Sequence, residues 1–146
     1  MNSARAVNHL SILAAAYIAG LIDGEGTITL TRLHANENRR LVISIANTEL
    51  ALLEFVIDQV GAGKITRKRN SQPQHTPSFC HAVTSGQALS LLSQISPHLR
   101  SYKRKRADLA LTLYEQLTPR NGKYDARTRA DRLRFEQRLL SLNACR

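Results

Sequence analysis

Between residues 10 and 23 the apolar positions recur at helical spacing: Leu10, Leu13, Tyr17 and Leu21, with Ile18 and Ile22 beside them. This predicts a helix over 10–23. The period then changes. In GEGTITLTRL, Thr27, Thr29 and Thr31 alternate with Ile28 and Leu30, the pattern of a half-buried strand. HANEN is a turn cluster. RLVISIAN is a second strand, with Leu41, Ile43 and Ile45 on one face and Val42, Ser44 and Ala46 on the other, so the pair forms a hairpin. NTELALLEFVIDQVGAG reads as a helix, capped by Asn47 or Thr48, with Glu49 in its first turn and Gly61 and Gly63 closing it.

KITRKRNSQ is a third strand, PQHTP a loop and SFCHAVT a fourth strand. Phe79 and Val83 inward would turn Cys80 and Ala82 outward. SGQALSLLSQI is a short helix ending before Pro97. YKRKRADLALTLYEQL is a longer one, with Leu109, Leu113 and Leu117 on its apolar face. Pro119 and Gly122 break the chain, and 125–142 is an arginine-rich helix. Its arginines (Arg127, Arg129, Arg132, Arg134, Arg138) mix with Asp125, Asp131 and Glu136, which predicts a solvated helix. The order is α-ββ-α-ββ-α with extra helices at the end. That is an α+β class: one four-stranded antiparallel sheet, helices on one face, the other face polar and basic. Residues 10–118 form the expected core and 119–146 a C-terminal extension of a single domain.

Composition narrows the function. A length of 146 residues suits one domain, and 42% apolar residues suffice for a core. No apolar run reaches the length of a membrane span. The basic start MNSARAVNHLSILAAAY runs straight into the apolar stretch, leaving no room for a cleaved leader. A formal net charge of +10 points to a polyanionic partner, most commonly nucleic acid. Cys80 and Cys145 are far apart with no C-x-x-C partner, which suits a reducing intracellular compartment and a structural role for both. The five histidines lack zinc-ligand spacing, and no phosphate-binding glycine loop is present.

The first helix has chemistry of its own. Ala16, Gly20 and Gly24 lie four residues apart and make a smooth stripe. Small residues at that spacing admit a second helix at close range. The opposite side, with Leu13, Tyr17 and Leu21, is apolar enough for the core. No second copy of the stretch exists in the chain, so the partner is the same helix of a second copy across a two-fold axis, with Asp23 also in this region. Glu25 of each chain would then lie near that axis. Paired carboxylates repel unless cations join them, and hard divalent ions such as Mg²⁺ accept carboxylate and carbonyl oxygens. Asp23 suits another task, accepting backbone amides around the tight turn.

IAGLIDGEG (18–26) resembles the LAGLIDADG motif of homing endonucleases, differing at Ile18, Gly24 and Glu25. The following hairpin, the IAN strand end, the GAGKI turn and the SYKRKRADLALTL segment fall in the family's order, so the resemblance covers roughly 10–118. It implies a homodimeric, single-motif endonuclease whose sheets form a basic saddle on double-stranded DNA. Hydrolysis of each strand would use Mg²⁺, with Mn²⁺ or Ca²⁺ also able to bind, and leave 3′ overhangs. Glu25 would be the metal ligand, helped by the Gly24 carbonyl, while Asn47 and Lys103 would organise water and stabilise phosphate charge. Some relatives carry a further basic residue where Ala51 stands; Arg67 or Arg104 are the available substitutes. Thr27, Thr29, Thr31, Ser44, Lys64, Thr66 and Lys68 would face bases, and Arg32, Arg39, Arg40, Arg67 and Arg69 phosphates or bases. KITRKRNSQ carries four bases and no acid, which favours DNA contact over a merely protected edge strand. Two other classes stand beside this one: a cleavage-deficient relative acting as an intron maturase or regulator, and a basic dimerising domain with no nucleic-acid role.

Overall fold

A computed structural model of the chain describes residues 6–69 and 72–144. Helix α1 (Ile12–Glu25) runs directly into β1 (Gly26–Thr31), followed by β2 (Arg40–Asn47), α2 (Leu50–Val60), β3 (Lys64–Lys68), β4 (Ser78–Thr84), α3 (Ser85–Ile95), α4 (Lys103–Leu113) and α5 (Ala126–Ser141). The α-ββ-α-ββ-α order is the one the hydrophobic pattern predicts. Cys145 lies outside the described residues, as do positions 70 and 71 of the third predicted strand.

The strands form one antiparallel sheet in the order β1-β2-β4-β3. Strict alternation sets its two faces. Ile28, Leu30, Leu41, Ile43, Ile45, His81 and Val83 are buried against the helices. The pattern leaves the facing of the fourth strand open, and the structure settles it: Val83 is inward and Cys80 and Ala82 lie on the other side. His81 is buried in this core with Nε2 3.0 Å from the Ala62 carbonyl; burial lowers its pKa, and that carbonyl only partly offsets the effect.

Local chemistry explains the helix ends. Ser11 accepts from the Ala14 amide at 3.1 Å, so α1 begins at Ile12 rather than at Leu10. The segment before it is extended, and Val7 and Leu10 still reach the core. Helix α2 stops at Gly61, whose φ of 70° is the left-handed conformation glycine adopts without strain. Its first turn takes no side-chain cap from Thr48; instead the Asn47 side-chain carbonyl accepts from the Glu49 amide at 2.7 Å.

Two packing expectations are corrected. On α1 the core face is Ala14, Ala15, Ile18, Ala19 and Ile22, whereas Leu13 is 85% exposed and Tyr17 47%. The helix is apolar on nearly every side, so its sequence carries no moment that singles out an inner face. The second correction concerns α5, which is not a solvated helix. Phe135 and Leu139 join the core, and Arg132 and Glu136 are 2% and 3% exposed. Asp125 caps it by accepting from the Thr128 amide at 2.7 Å, and that bond holds the Asp125 pKa below the ordinary carboxylate value.

Candidate nucleic-acid interface

The sheet face away from the helices is open, and the register arranges its side chains in rows. Thr27, Ser44, Ala82 and Lys64 form one row across all four strands. Ala46, Cys80 and Thr66 form the next, then Ser78 and Lys68; on the other side lie Thr29, Val42 and Thr84, then Thr31 and Arg40. Thr27, Thr31, Arg40, Lys64, Thr66 and Lys68 are exposed, while Thr29 and Ser44 are half-buried. The seven candidates for base contact therefore share this face with Arg40. Arg32 and Arg69 are exposed just past the ends of β1 and β3. Arg67 has the opposite strand parity, paired with Phe79, yet is exposed, and with Lys68 and Arg69 it lines an open recess of about 610 Å³ at the end of the β3–β4 hairpin. Arg39 departs from expectation. Its guanidinium donates to Glu136 Oε1 at 3.0 Å, which draws it toward α5 and away from the open face.

At one edge of this face α1 ends. Glu25 is its last residue and is exposed. The side-chain amide of Asn47 donates to Glu25 Oε2, so the end of β2 holds the carboxylate at the base of the sheet. No loop intervenes before β1. At Gly26 an added Cβ would lie 2.6 Å from the Ile22 Cα, and only glycine lets the strand leave the helix so tightly.

Asp23, two residues earlier, points inward. It accepts from the Arg100 amide at 2.8 Å, the Ser101 amide at 3.1 Å and the Ser101 hydroxyl at 2.5 Å. The amides are thus not those of its own turn, as expected, but those of the segment leading into α4. Partial burial works against the charged form. The bonds from Ser101 and Arg100 and the nearby Lys103 outweigh it and hold the Asp23 pKa below the usual value.

Lys103 completes a reciprocal clasp. Its Nζ donates to the Ile22 carbonyl at 2.8 Å, which also accepts from the Gly26 amide, and to the Asp23 carbonyl at 2.9 Å, adding a donor to the last turn of the helix. Burial is the main cause lowering its pKa; Asp23 opposes the shift and Arg106 adds to it. Glu25, Asn47 and Lys103 therefore do gather round the end of α1, but Lys103, only 8% exposed, sits behind the turn that presents Glu25. Ala51 is exposed, and Arg104 pairs with Asp108 at 3.8 Å.

The outward face of α1 carries Leu13, Ala16, Tyr17, Gly20 and Gly24. A Cβ added at Gly20 or Gly24 meets nothing within 4 Å. Tyr17 packs edge-on against Phe55 of α2, their ring centroids 5.3 Å apart, extending the bare apolar surface. Among the described residues, no group of three or more His, Cys, Asp or Glu lies together, and no helix is long and apolar enough to cross a membrane. A hard divalent ion suits Glu25: an exposed carboxylate at the negative end of a helix dipole is an oxygen donor for it.

No family model and no curated protein matches the sequence. Solved structures do. The homing endonuclease I-CvuI, in complex with its target in the presence of calcium, matches with a TM-score of 0.73 and 20% identity, over 92% of this chain and 85% of that one. The chain has the fold of the LAGLIDADG homing endonucleases. The archaeal intron-encoded homing endonuclease I-Vdi141I, complexed with DNA, matches at TM-score 0.67 and 15% identity, over 90% of this chain and 84% of that one. The LAGLIDADG meganuclease I-AabMI, bound to uncleaved DNA, matches at 0.65 and 20% identity over 90% of this chain but only 46% of that one. Within the LAGLIDADG fold the stretch 18–26 is the last part of α1 and the first residue of β1.

Proposed function

We propose that the chain is a site-specific, metal-dependent DNA endonuclease that works as a homodimer. One observation carries this: an exposed carboxylate, Glu25, stands at the end of a helix whose small-residue face is bare, beside a sheet whose open face is polar and basic. Two such helices packed across a two-fold axis bring the two Glu25 side chains together and join the open faces into one continuous surface. Duplex DNA is the polyanion that this surface suits, and I-Vdi141I was solved complexed with DNA. Lys64, Lys68 and Arg40 would reach bases, with Thr27, Thr29, Thr31, Ser44 and Thr66 between them. Arg32, Arg67 and Arg69 would neutralise phosphates.

Glu25 of each chain, with the Gly24 carbonyl, would hold Mg²⁺; I-CvuI has been solved on DNA in the presence of calcium and, with the DNA not cleaved, in the presence of magnesium. The bound ion would polarise the scissile phosphate and supply an activated water. Asn47 orients the Glu25 carboxylate through its amide. Lys103 and Asp23 fix the turn from behind. The cleavage products would carry 3′ overhangs, and the target would be nearly palindromic because each subunit repeats one reading surface.

The test is a plasmid-library cleavage assay with Mg²⁺ and with a chelator, run beside light scattering. A mass of two chains and Mg²⁺-dependent cutting at one sequence are expected. The affinity should also fall with salt, with a log–log slope near −0.9 for each phosphate neutralised. Specific binding without cutting would favour the cleavage-deficient regulator; affinity indifferent to salt would favour a dimerising domain with no nucleic-acid role.

A further inference from the structure

Strand β4 ends at Thr84, which pairs with Val42. The start of β2, Arg40 and Leu41, therefore has β1 on one side and no strand on the other. Backbone groups on that side need partners. They find them in the C-terminal third of the chain. The Leu41 amide donates to the Tyr114 hydroxyl at 3.3 Å, and the Arg39 amide to Glu136 Oε2 at 3.3 Å. The Arg39 carbonyl accepts from Arg132 Nη2.

These partners are themselves fixed. Arg132 donates through Nε to Glu136 at 3.1 Å, and through Nη1 to the Leu117 carbonyl at 3.0 Å and the Thr118 hydroxyl at 2.5 Å. Its guanidinium lies over the Tyr114 ring, 4.9 Å from the centroid. The second Glu136 oxygen receives Arg39 Nη1. A buried ion pair is a poor source of net stability, because desolvation offsets most of its attraction. What a fully satisfied network does supply is one defined geometry. Here that geometry is imposed on residues 39 and 41, on either side of Arg40, which is exposed on the open face opposite Thr31.

We propose that Arg132 and Glu136 are positioning residues for specificity: α5 stands in for the missing strand neighbour and fixes how Arg40 meets a base pair at the turn end of the β1–β2 hairpin. The proposal rests on the DNA-reading role above. The β3–β4 hairpin provides an internal control, since Lys64, Thr66, Arg67 and Lys68 of its edge strand are all exposed.

The experiment is a binding selection on a target library with the full chain, in wild-type form and as Arg40→Ala, Lys64→Ala, Glu136→Gln and Leu92→Ala. Glu136→Gln should relax discrimination by roughly tenfold at the positions where Arg40→Ala does, the scale of a lost charged hydrogen bond. Positions that respond to Lys64→Ala should keep wild-type preference. Leu92→Ala, which loosens the core elsewhere, should not reproduce this pattern. A uniform affinity loss, an unchanged profile, or the same pattern from Leu92→Ala overturns the proposal. If Glu136→Gln does not fold, Arg39→Ala removes one arm from a half-buried position and should give the same profile. Amide exchange separates failure here from failure of the DNA reading. With no DNA present, exchange at Arg39 and Leu41 should quicken roughly tenfold or more in Glu136→Gln, with β3 and β4 unchanged; wild-type rates at these amides overturn the brace whether or not the protein reads DNA.

Discussion

Helix α1 has two faces of nearly equal apolarity and opposite fate. The inward face, Ala15, Ile18, Ala19 and Ile22, is fully packed, and Asp23 beside it is bound to Arg100 and Ser101. The outward face, Leu13, Ala16, Tyr17 and Gly20, is bare, and Glu25 beside it is exposed. The two acids sit two residues apart, one closing the fold and the other open to solvent. The difference teaches that a helix apolar all round has two partners to satisfy, and that one chain supplies only the first.

The largest expected effect comes from the outward acid. Glu25→Gln keeps volume and removes the charge proposed to hold the metal, so the proposed cleavage should fall by roughly a thousandfold or more, since several kcal/mol of charge stabilisation would go with it. Binding and thermal stability should stay near wild type. Single-turnover rates beside a binding isotherm measure this, and a wild-type rate would move the metal site elsewhere.

Next comes the inward face. Ile18→Ala opens a cavity under a fully buried side chain and should cost roughly 2–5 kcal/mol of unfolding free energy, read by denaturant titration. A cost near zero would mean that the faces are misassigned. Gly20→Leu should act with the opposite sign on the monomer, adding up to about 1 kcal/mol of helix propensity, because a Cβ at this exposed position meets nothing within 4 Å in the protomer. The same change should split the dimer, seen as a one-chain mass in light scattering. Loss of monomer stability without dissociation would break the contrast between the faces.

Asp23→Asn acts on the inward acid, costing about 1–2 kcal/mol from weakened hydrogen bonds, less than the Ile18 cavity. It also carries a pH signature. The Asp23 pKa is lowered on folding, so between that lowered value and the ordinary 3.8 the unfolded chain binds the extra proton. The stabilisation is present above 3.8 and is lost as pH falls through the folded value. Stability curves of wild type and Asp23→Asn should converge in that acidic range; a constant gap would show that the carboxylate charge is irrelevant.

How legible was this in the sequence? The alternation Thr27-Ile28-Thr29-Leu30 fixes which way β1 faces, whereas SFCHAVT has no clean alternation and its facing comes from the structure, with Val83 inward. Strand registers follow from period two, which is local information. The inner face of α1 was not legible, because Leu13 and Ile18 are equally apolar and only the rest of the fold chooses between them. Glu25 and Asn47 were both read as site residues, and they prove to be bonded across 22 positions. The resemblance names Lys103 only as a catalytic lysine opening the late helix; its bonds to the Ile22 and Asp23 carbonyls depend on a crossing that no spacing encodes. Arg39 reads as a DNA contact and Arg132 as part of a solvated helix for the same reason: Arg39 is 97 positions from Glu136 and 93 from Arg132.

The junction at Gly26 has a mechanical consequence. With no loop between α1 and β1, a tilt of the helix would be passed to the strand through the turn bearing Glu25. A strand of this length extends about 20 Å, so tilting α1 by about 5° would swing the far end of β1 by nearly 2 Å, more than half a residue step. A small change in how two α1 helices cross would thus be magnified at Thr31 and Arg40, and the seating of the helices would set the span over which the assembled protein takes its measure of a duplex.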